Sequence, residues 1–209
     1  MSYDGLLGFA FTCLVIELTP GPNMGYLAVL SATAGRRAGF AATLGIALGL
    51  LVIGVGAAFG LTALLASSPW LYETWRWCGV LYLLWLAWEG WGGDKETSAG
   101  DAKVIESDRT YFTRGLVTNL LNPKAGLFYL AVLPSFFNDA DPVTSQAVLL
   151  SVVYVAIATS VHSVIVLAAD AAEPWLNDPQ RSKTVRRIMS AALVVIALWL
   201  LFSTAYPTE

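Results

Sequence analysis

Residues Leu18–Leu30 read LTPGPNMGYLAVL, and residues Asn119–Leu133 read NLLNPKAGLFYLAVL. Both stretches place proline inside an apolar run, and both continue into the same five residues, at Tyr26–Leu30 and Tyr129–Leu133. A proline within a helix has no N–H to donate and crowds the carbonyl four residues earlier. Pro20 and Pro22 are therefore expected to free the carbonyls of Ile16 and Leu18, and Pro123 that of Asn119. Gly21 adds backbone freedom between two prolines. An ungapped shift of 101 residues aligns Pro22 with Pro123 and Gly25 with Gly126, whereas the YLAVL copies need a two-residue gap.

The surroundings of these breaks are too apolar for water. Of 209 residues, 56% are hydrophobic and 13% charged, about half the charged share of a soluble domain. Mean hydropathy is +0.64. Six apolar stretches, at 4–34, 39–66, 71–91, 112–137, 144–171 and 187–205, are each near or above the roughly 20 residues that cross a bilayer as a helix. They are continuous rather than alternating, which excludes a β-barrel. No cleaved signal peptide is expected, because MSYDG lacks a basic residue ahead of the first apolar run.

Loop charge gives direction. The loops after the first, third and fifth stretches hold Arg36, Arg37, Lys95, Lys103, Arg109, Arg114, Arg181, Lys183, Arg186 and Arg187, while the opposite side has only Arg76, between Trp75 and Trp77. The positive-inside rule puts the basic loops in the cytoplasm and both termini outside. Arg76 is expected to anchor its helix at the outer interface.

The expected fold is thus an all-α polytopic membrane protein. It has six transmembrane helices as two inverted three-helix repeats, with broken first and fourth helices. The first repeat is residues 1–92, a polar cytoplasmic linker occupies 93–111, and the second repeat is 112–209. Three spans per repeat is an odd number, so the second repeat must enter the membrane inverted.

The breaks carry the candidate site. Each begins about 10–15 residues into its span, roughly 15–22 Å deep and near the bilayer centre. Asn23 and Asn122 are placed to open the new half-helices, Asn being a good N-cap and Pro favourable at the first helical position. N–H groups at such ends favour an anion, and two facing ends would suit a carboxylate. Glu17 and Lys124 flank the breaks at a depth where a charge costs at least about 2.5 kcal/mol. Glu17 is a candidate for a cationic amino group or a proton, and Lys124 for a carboxylate; the alternative is a structural Glu17–Lys124 ion pair. His162, midway along the fifth stretch, is a candidate proton relay, or a histidine bonded to a neighbouring helix. Glu89 and Asp170 read as interfacial. The glycines of the second stretch, among them Gly39, Gly45, Gly49 and Gly54, allow close helix contact.

No basic run suggests nucleic acid. No nucleotide loop, zinc-protease motif or catalytic triad assembles, so neither an enzyme, a metal site nor a cofactor is expected. Cys13 and Cys78 lie in apolar runs, as buried unpaired cysteines commonly do.

The segments LTPGPN, GRRAGFAATLGIALGL, CGVLYLLWLAWEGW and NLLNPKAGLFYLAVLPSFF occur in the order seen in LysE/RhtB-type amino-acid exporters, and the chain resembles that family. The resemblance implies a plasma-membrane carrier that expels amino acids or related small metabolites, driven by the proton-motive force. It assigns Pro20, Gly21, Pro22 and Asn23 to one family motif, and Asn122, Pro123 and Lys124 to the other. Asn119 joins the substrate-binding candidates through its freed carbonyl. Protons, an amino acid and the lipid bilayer are the expected partners, and a homo-oligomer is compatible with this plan. The alternatives are export of a heavy-metal cation by the same superfamily and transmembrane electron transfer through the two thiols. A membrane scaffold without transport would leave the paired breaks and midplane charges without use.

Overall fold

The computed structural model describes residues 3–19, 21–60, 67–92, 106–138, 140–171 and 179–203. Pro20, residues 93–105 of the linker, both chain ends and the side chain of Glu89 lie outside the described residues. The described chain is helical, with no strand. Its elements are α1 (Tyr3–Leu18), α2 (Pro22–Ala58), α3 (Pro69–Gly92), α4 (Asp108–Leu120), α5 (Pro123–Leu127), α6 (Val143–Ala171) and α7 (Pro179–Ser203). A π-turn (Phe128–Val132) and a 3-10 turn (Leu133–Phe136) continue α5.

Among the described residues, Val143–Ala171 and, taken as one helix, Pro22–Ala58 are long and apolar enough to cross a membrane. Asp108–Leu120 and Pro123–Phe136 pass the same test together, bent by 50° at the second break. The described residues of the six expected stretches are mainly helical, the first two stretches sharing α2.

The nominal helix α2 is two helices. Gly35 sits inside it at φ 82, ψ 171, a left-handed backbone that glycine adopts without a Cβ penalty. A straight helix would hold Ser31 and Gly39 about 12 Å apart. Instead a Cβ at Gly39 would overlap the Ser31 hydroxyl and the Val166 side chain. Asn119 makes the same point. It bonds to Asn23, yet a Cβ at Gly49 would lie 2.8 Å from its amide nitrogen. The chain therefore doubles back at Gly35, giving arms at 22–34 and 36–58.

Glycine then sets how closely the elements cross. A Cβ at Gly45 would overlap the Phe112 carbonyl, and one at Gly115 the Ala42 carbonyl, so the second arm and α4 meet backbone to backbone. Gly79 of α3 faces the Leu121 carbonyl in the same manner, and Gly126 faces the Trp75 ring. The second break is thus seated on α3, where the Trp75 indole N–H donates to the Leu120 carbonyl at 2.8 Å.

Polarity is distributed inside out. Glu17, Asn23, Asn119, Asn122, Ser151 and His162 are buried, while Phe11, Leu44, Val52, Trp88, Val164, Phe202 and many other large apolar side chains face outward. A water-soluble monomer rarely exposes so much contiguous apolar surface. Arg76 is 7% exposed, pairs with Glu73, and donates to the Leu201 carbonyl near the end of α7, which packs alongside α3.

One end of the molecule is tied by charge. Arg37 reaches Asp108 through two hydrogen-bonding nitrogens, and the Arg36 N–H donates to Asp170 at 2.8 Å. The Gly35 turn, the start of α4 and the end of α6 therefore share one end. Asp170 serves there as a cap on the helix that restarts after Gly35.

Candidate functional site

The two breaks meet. At the first, α1 stops at Leu18 and α2 starts at Pro22, with Gly21 in the cap position at φ −164, ψ 178. That backbone is extended and open to any residue, so conformational freedom is not what Gly21 supplies. What matters is room: a Cβ there would lie 3.2 Å from Lys124 Cδ. Because Pro22 occupies the first helical position, Asn23 falls one residue inside the helix, and no side chain caps this end. The expected Asn23 cap is thus corrected. Its amide instead donates to the side-chain oxygen of Asn119 at 2.8 Å, linking the first break to the helix before the second.

At the second break Asn122 is the N-cap, accepting from the Lys124 N–H at 3.0 Å, and Pro123 is the first helical residue. The freed Asn119 carbonyl accepts from the Asn122 N–H at 2.9 Å. The Ala125 and Gly126 N–H groups both reach the Asn122 carbonyl. The amide donors expected to face an anion at this end are therefore already engaged, because cap and tight turn close on each other.

Lys124 crosses to the first break. Its ammonium donates to the Ile16 carbonyl at 2.8 Å and to the Thr19 carbonyl at 2.7 Å. A carbonyl freed by the first proline pair is thus satisfied by a side chain from the second half. Among the described residues no ion pair joins Glu17 to Lys124, so a structural Glu17–Lys124 pair is not what the geometry contains. Glu17 turns instead to α6. One carboxylate oxygen accepts from the Tyr154 hydroxyl at 2.6 Å, and the other lies 3.2 Å from His162 Nε2. The histidine contact has ion-pair distance without hydrogen-bond alignment, which leaves Nε2 unsatisfied.

A small cavity lies between these groups. Glu17, Gly21, Asn23, Asn122, Lys124 and His162 line it, joined by Met24, Ala125 and Tyr154. Its volume, as space for the centre of a water-sized sphere, is about 10 Å3, room for about one water. Asn119 lies behind Asn23, fully buried. The Asn23 side-chain oxygen and the Asn119 side-chain nitrogen have no partner among the described residues.

Sequence reasoning missed Tyr154, Met24 and Ala125. A tyrosine at mid-stretch reads as core; only the packing of α6 on α1 gives its hydroxyl a partner. Cys13 is buried and Cys78 exposed, and both are free thiols. Among the described residues no three His, Cys, Asp or Glu side chains gather as a metal site would need.

A helical protein with interrupted apolar helices, an apolar exterior and a polar centre built at the interruptions has the construction of a membrane transporter. The pattern that defines the LysE type translocator family matches residues 14–204, and the chain belongs to that family. It is a membrane transport protein and not an enzyme. The homoserine/homoserine lactone efflux protein of Salmonella typhimurium is 24% identical over 196 residues, covering 94% of this chain and 95% of that protein. The leucine efflux protein of Enterobacter sp. is 32% identical over 136 residues, 65% of this chain and 64% of that protein. The threonine efflux protein of Escherichia coli is 28% identical over 144 residues, 67% of this chain and 70% of that protein. No solved structure matches the chain.

Proposed function

We propose that this protein is a proton-coupled secondary exporter of amino acids or related small metabolites, working across the plasma membrane through the site where the two breaks meet. The observation that carries the reading is a cavity lined jointly by Glu17 and Asn23 from the first half and by Asn122, Lys124 and His162 from the second. Relatives named for homoserine, leucine and threonine efflux support amino-acid cargo.

An amino acid presents one carboxylate and one ammonium. Lys124 offers the carboxylate a cation, using two of its three N–H bonds on Ile16 and Thr19 and keeping one. The Asn23 and Met24 end of the first arm adds backbone dipole. Glu17 suits the ammonium or a proton, and the unpaired Asn23 oxygen is a further acceptor at the cavity wall. Buried polar atoms left unpaired call for an explanation, and a cargo bearing complementary groups provides one. His162 beside Glu17 suits a proton relay.

The conformation described is closed, since one water's room admits no amino acid. Transport then requires the halves, proposed as residues 1–92 and 112–209 in inverted orientation around the cytoplasmic 93–111 linker, to move against each other. Six spans with both termini outside fit the common end shared by the Gly35 turn, the α4 start and the α6 end. A metal-cation cargo has no comparable support.

The test is uptake of a panel of labelled amino acids into inside-out vesicles, with and without a proton gradient. Gradient-dependent accumulation of one or a few is expected. No accumulation of any amino acid by correctly inserted protein would sink the reading.

A further inference from the structure

We propose that Tyr154 is a positioning residue that couples the state of Glu17, at the first break, to the helix that follows the second. This rests on the transport site described above and adds the means by which its two halves sense one another.

Tyr154 is 1% exposed and has two distinct contacts. Its hydroxyl donates to Glu17 at 2.6 Å. Its ring stacks on Phe128, with centroids 3.9 Å apart and planes at 26°, and meets Tyr129 edge-on at 5.6 Å. Phe128 and Tyr129 are the first two residues of the π-turn that continues α5. One side chain of α6 therefore touches the carboxylate beside one break and the irregular helix beyond the other.

The chemistry makes the link state-dependent. A distance of 2.6 Å is typical of a hydroxyl donating to a charged carboxylate, a bond roughly twice as strong as a neutral one. A proton on Glu17, or an ammonium drawn to it, weakens the pull on the phenol. Tyr154 is then released from α1 while its ring remains stacked on Phe128. A π-turn is a local widening of a helix that recurs at functional sites, and here it is the element that responds. Phe9 of α1 also packs on Phe128, at 6.0 Å, which places α1, the π-turn and α6 in one aromatic contact.

The groups that face Glu17 are Tyr154 and His162 from α6, Lys124 from α5, Tyr129 from the π-turn and Cys13 from its own helix. A pH effect of removing the phenol must therefore be separated from one arising at His162.

The experiment uses the full chain in proteoliposomes, with labelled threonine, homoserine and leucine as probes, and measures the pH profile of gradient-driven transport. Tyr154→Phe keeps the ring and deletes the donor. It should insert normally, transport about tenfold or more slowly, and shift the pH profile. His162→Gln combined with Tyr154→Phe should still show that shift relative to His162→Gln alone. Glu17→Gln/Tyr154→Phe should be no worse than Glu17→Gln, because the phenol acts through the carboxylate. Phe128→Leu keeps the hydroxyl and removes the stack; it should lower the maximal rate while leaving probe binding near wild type.

A wild-type rate and profile for Tyr154→Phe beside an impaired Glu17→Gln would overturn the coupling and leave the transport site standing. Full additivity of Tyr154→Phe on Glu17→Gln would do the same. A Glu17→Gln variant indistinguishable from wild type would overturn both. If Tyr154→Phe fails to fold, Phe128→Leu decides: unchanged maximal rate refutes the link.

Discussion

The Asn23 side chain donates to the side chain of Asn119 at 2.8 Å, inside the protein and between the two interrupted helices. Among the described residues no other group pairs with the Asn23 side-chain oxygen or the Asn119 side-chain nitrogen. Asn119→Ala should strand the Asn23 donor and open space against Gly49. A loss of about 1–3 kcal/mol of stability is expected. The measurement is thermal unfolding in detergent of both single alanine variants and the double. A double variant no less stable than either single would identify the bond as a coupled unit; strict additivity would show that the two amides act separately.

The sites of the breaks were legible because proline and its freed carbonyls follow from covalent structure alone. Glu17, Lys124 and His162 were legible because charge in an apolar run is costly, and all three line the cavity. Their partners were not legible. Lys124 reaches Ile16 and Thr19 across 108 and 105 residues of sequence, and Glu17 reaches Tyr154 across 137, so no local pattern encodes these contacts. The two breaks also read as equivalent, yet they differ. The second is closed by its own asparagine cap, while the first is closed by a lysine from the other half. The YLAVL copies diverge likewise: the first lies in regular helix and the second in the π and 3-10 turns, and the two-residue offset, Leu127–Phe128, falls where α5 passes into the π-turn.

Pro123→Ala restores an N–H at the bend while keeping the Asn122 cap. The helix can then run straighter than the observed 50°. Export should fall sharply with insertion unchanged, read by vesicle transport alongside membrane yield. The same holds for Pro22→Ala. Normal export by both would reduce the breaks to packing kinks.

Arg37 and Asp108 tie the Gly35 turn to the start of α4, with side chains 84% and 51% exposed. Such an exposed pair contributes little to stability and weakens with salt. It is suited to parting and re-forming during a transport cycle. In a Cys13→Ala/Cys78→Ala background, Arg37→Cys/Asp108→Cys joined by a short thiol-cleavable bifunctional reagent should lose export and regain it when the reagent is cleaved. Unimpaired export by the cross-linked protein would mean that this end does not open.

The last prediction separates a transport site from a structural pair at Glu17 and Lys124. Lys124→Met removes the ammonium donor to the Ile16 and Thr19 carbonyls, and Ile16 keeps only the bond from the Thr19 N–H at 3.1 Å; a loss of about 1–3 kcal/mol is expected. It should abolish export. Glu17→Gln keeps a group that Tyr154 can donate to, so insertion should survive while export slows and its pH profile changes. Were the two residues mutual counter-ions, each single variant would strand a buried charge and the double would recover. Their actual partners differ: backbone carbonyls for Lys124, Tyr154 and His162 for Glu17. Glu17→Gln/Lys124→Met should therefore recover neither stability nor export. The measurements are thermal unfolding and vesicle transport of all three variants. A double variant that is both more stable and more active than Lys124→Met would restore the counter-ion reading.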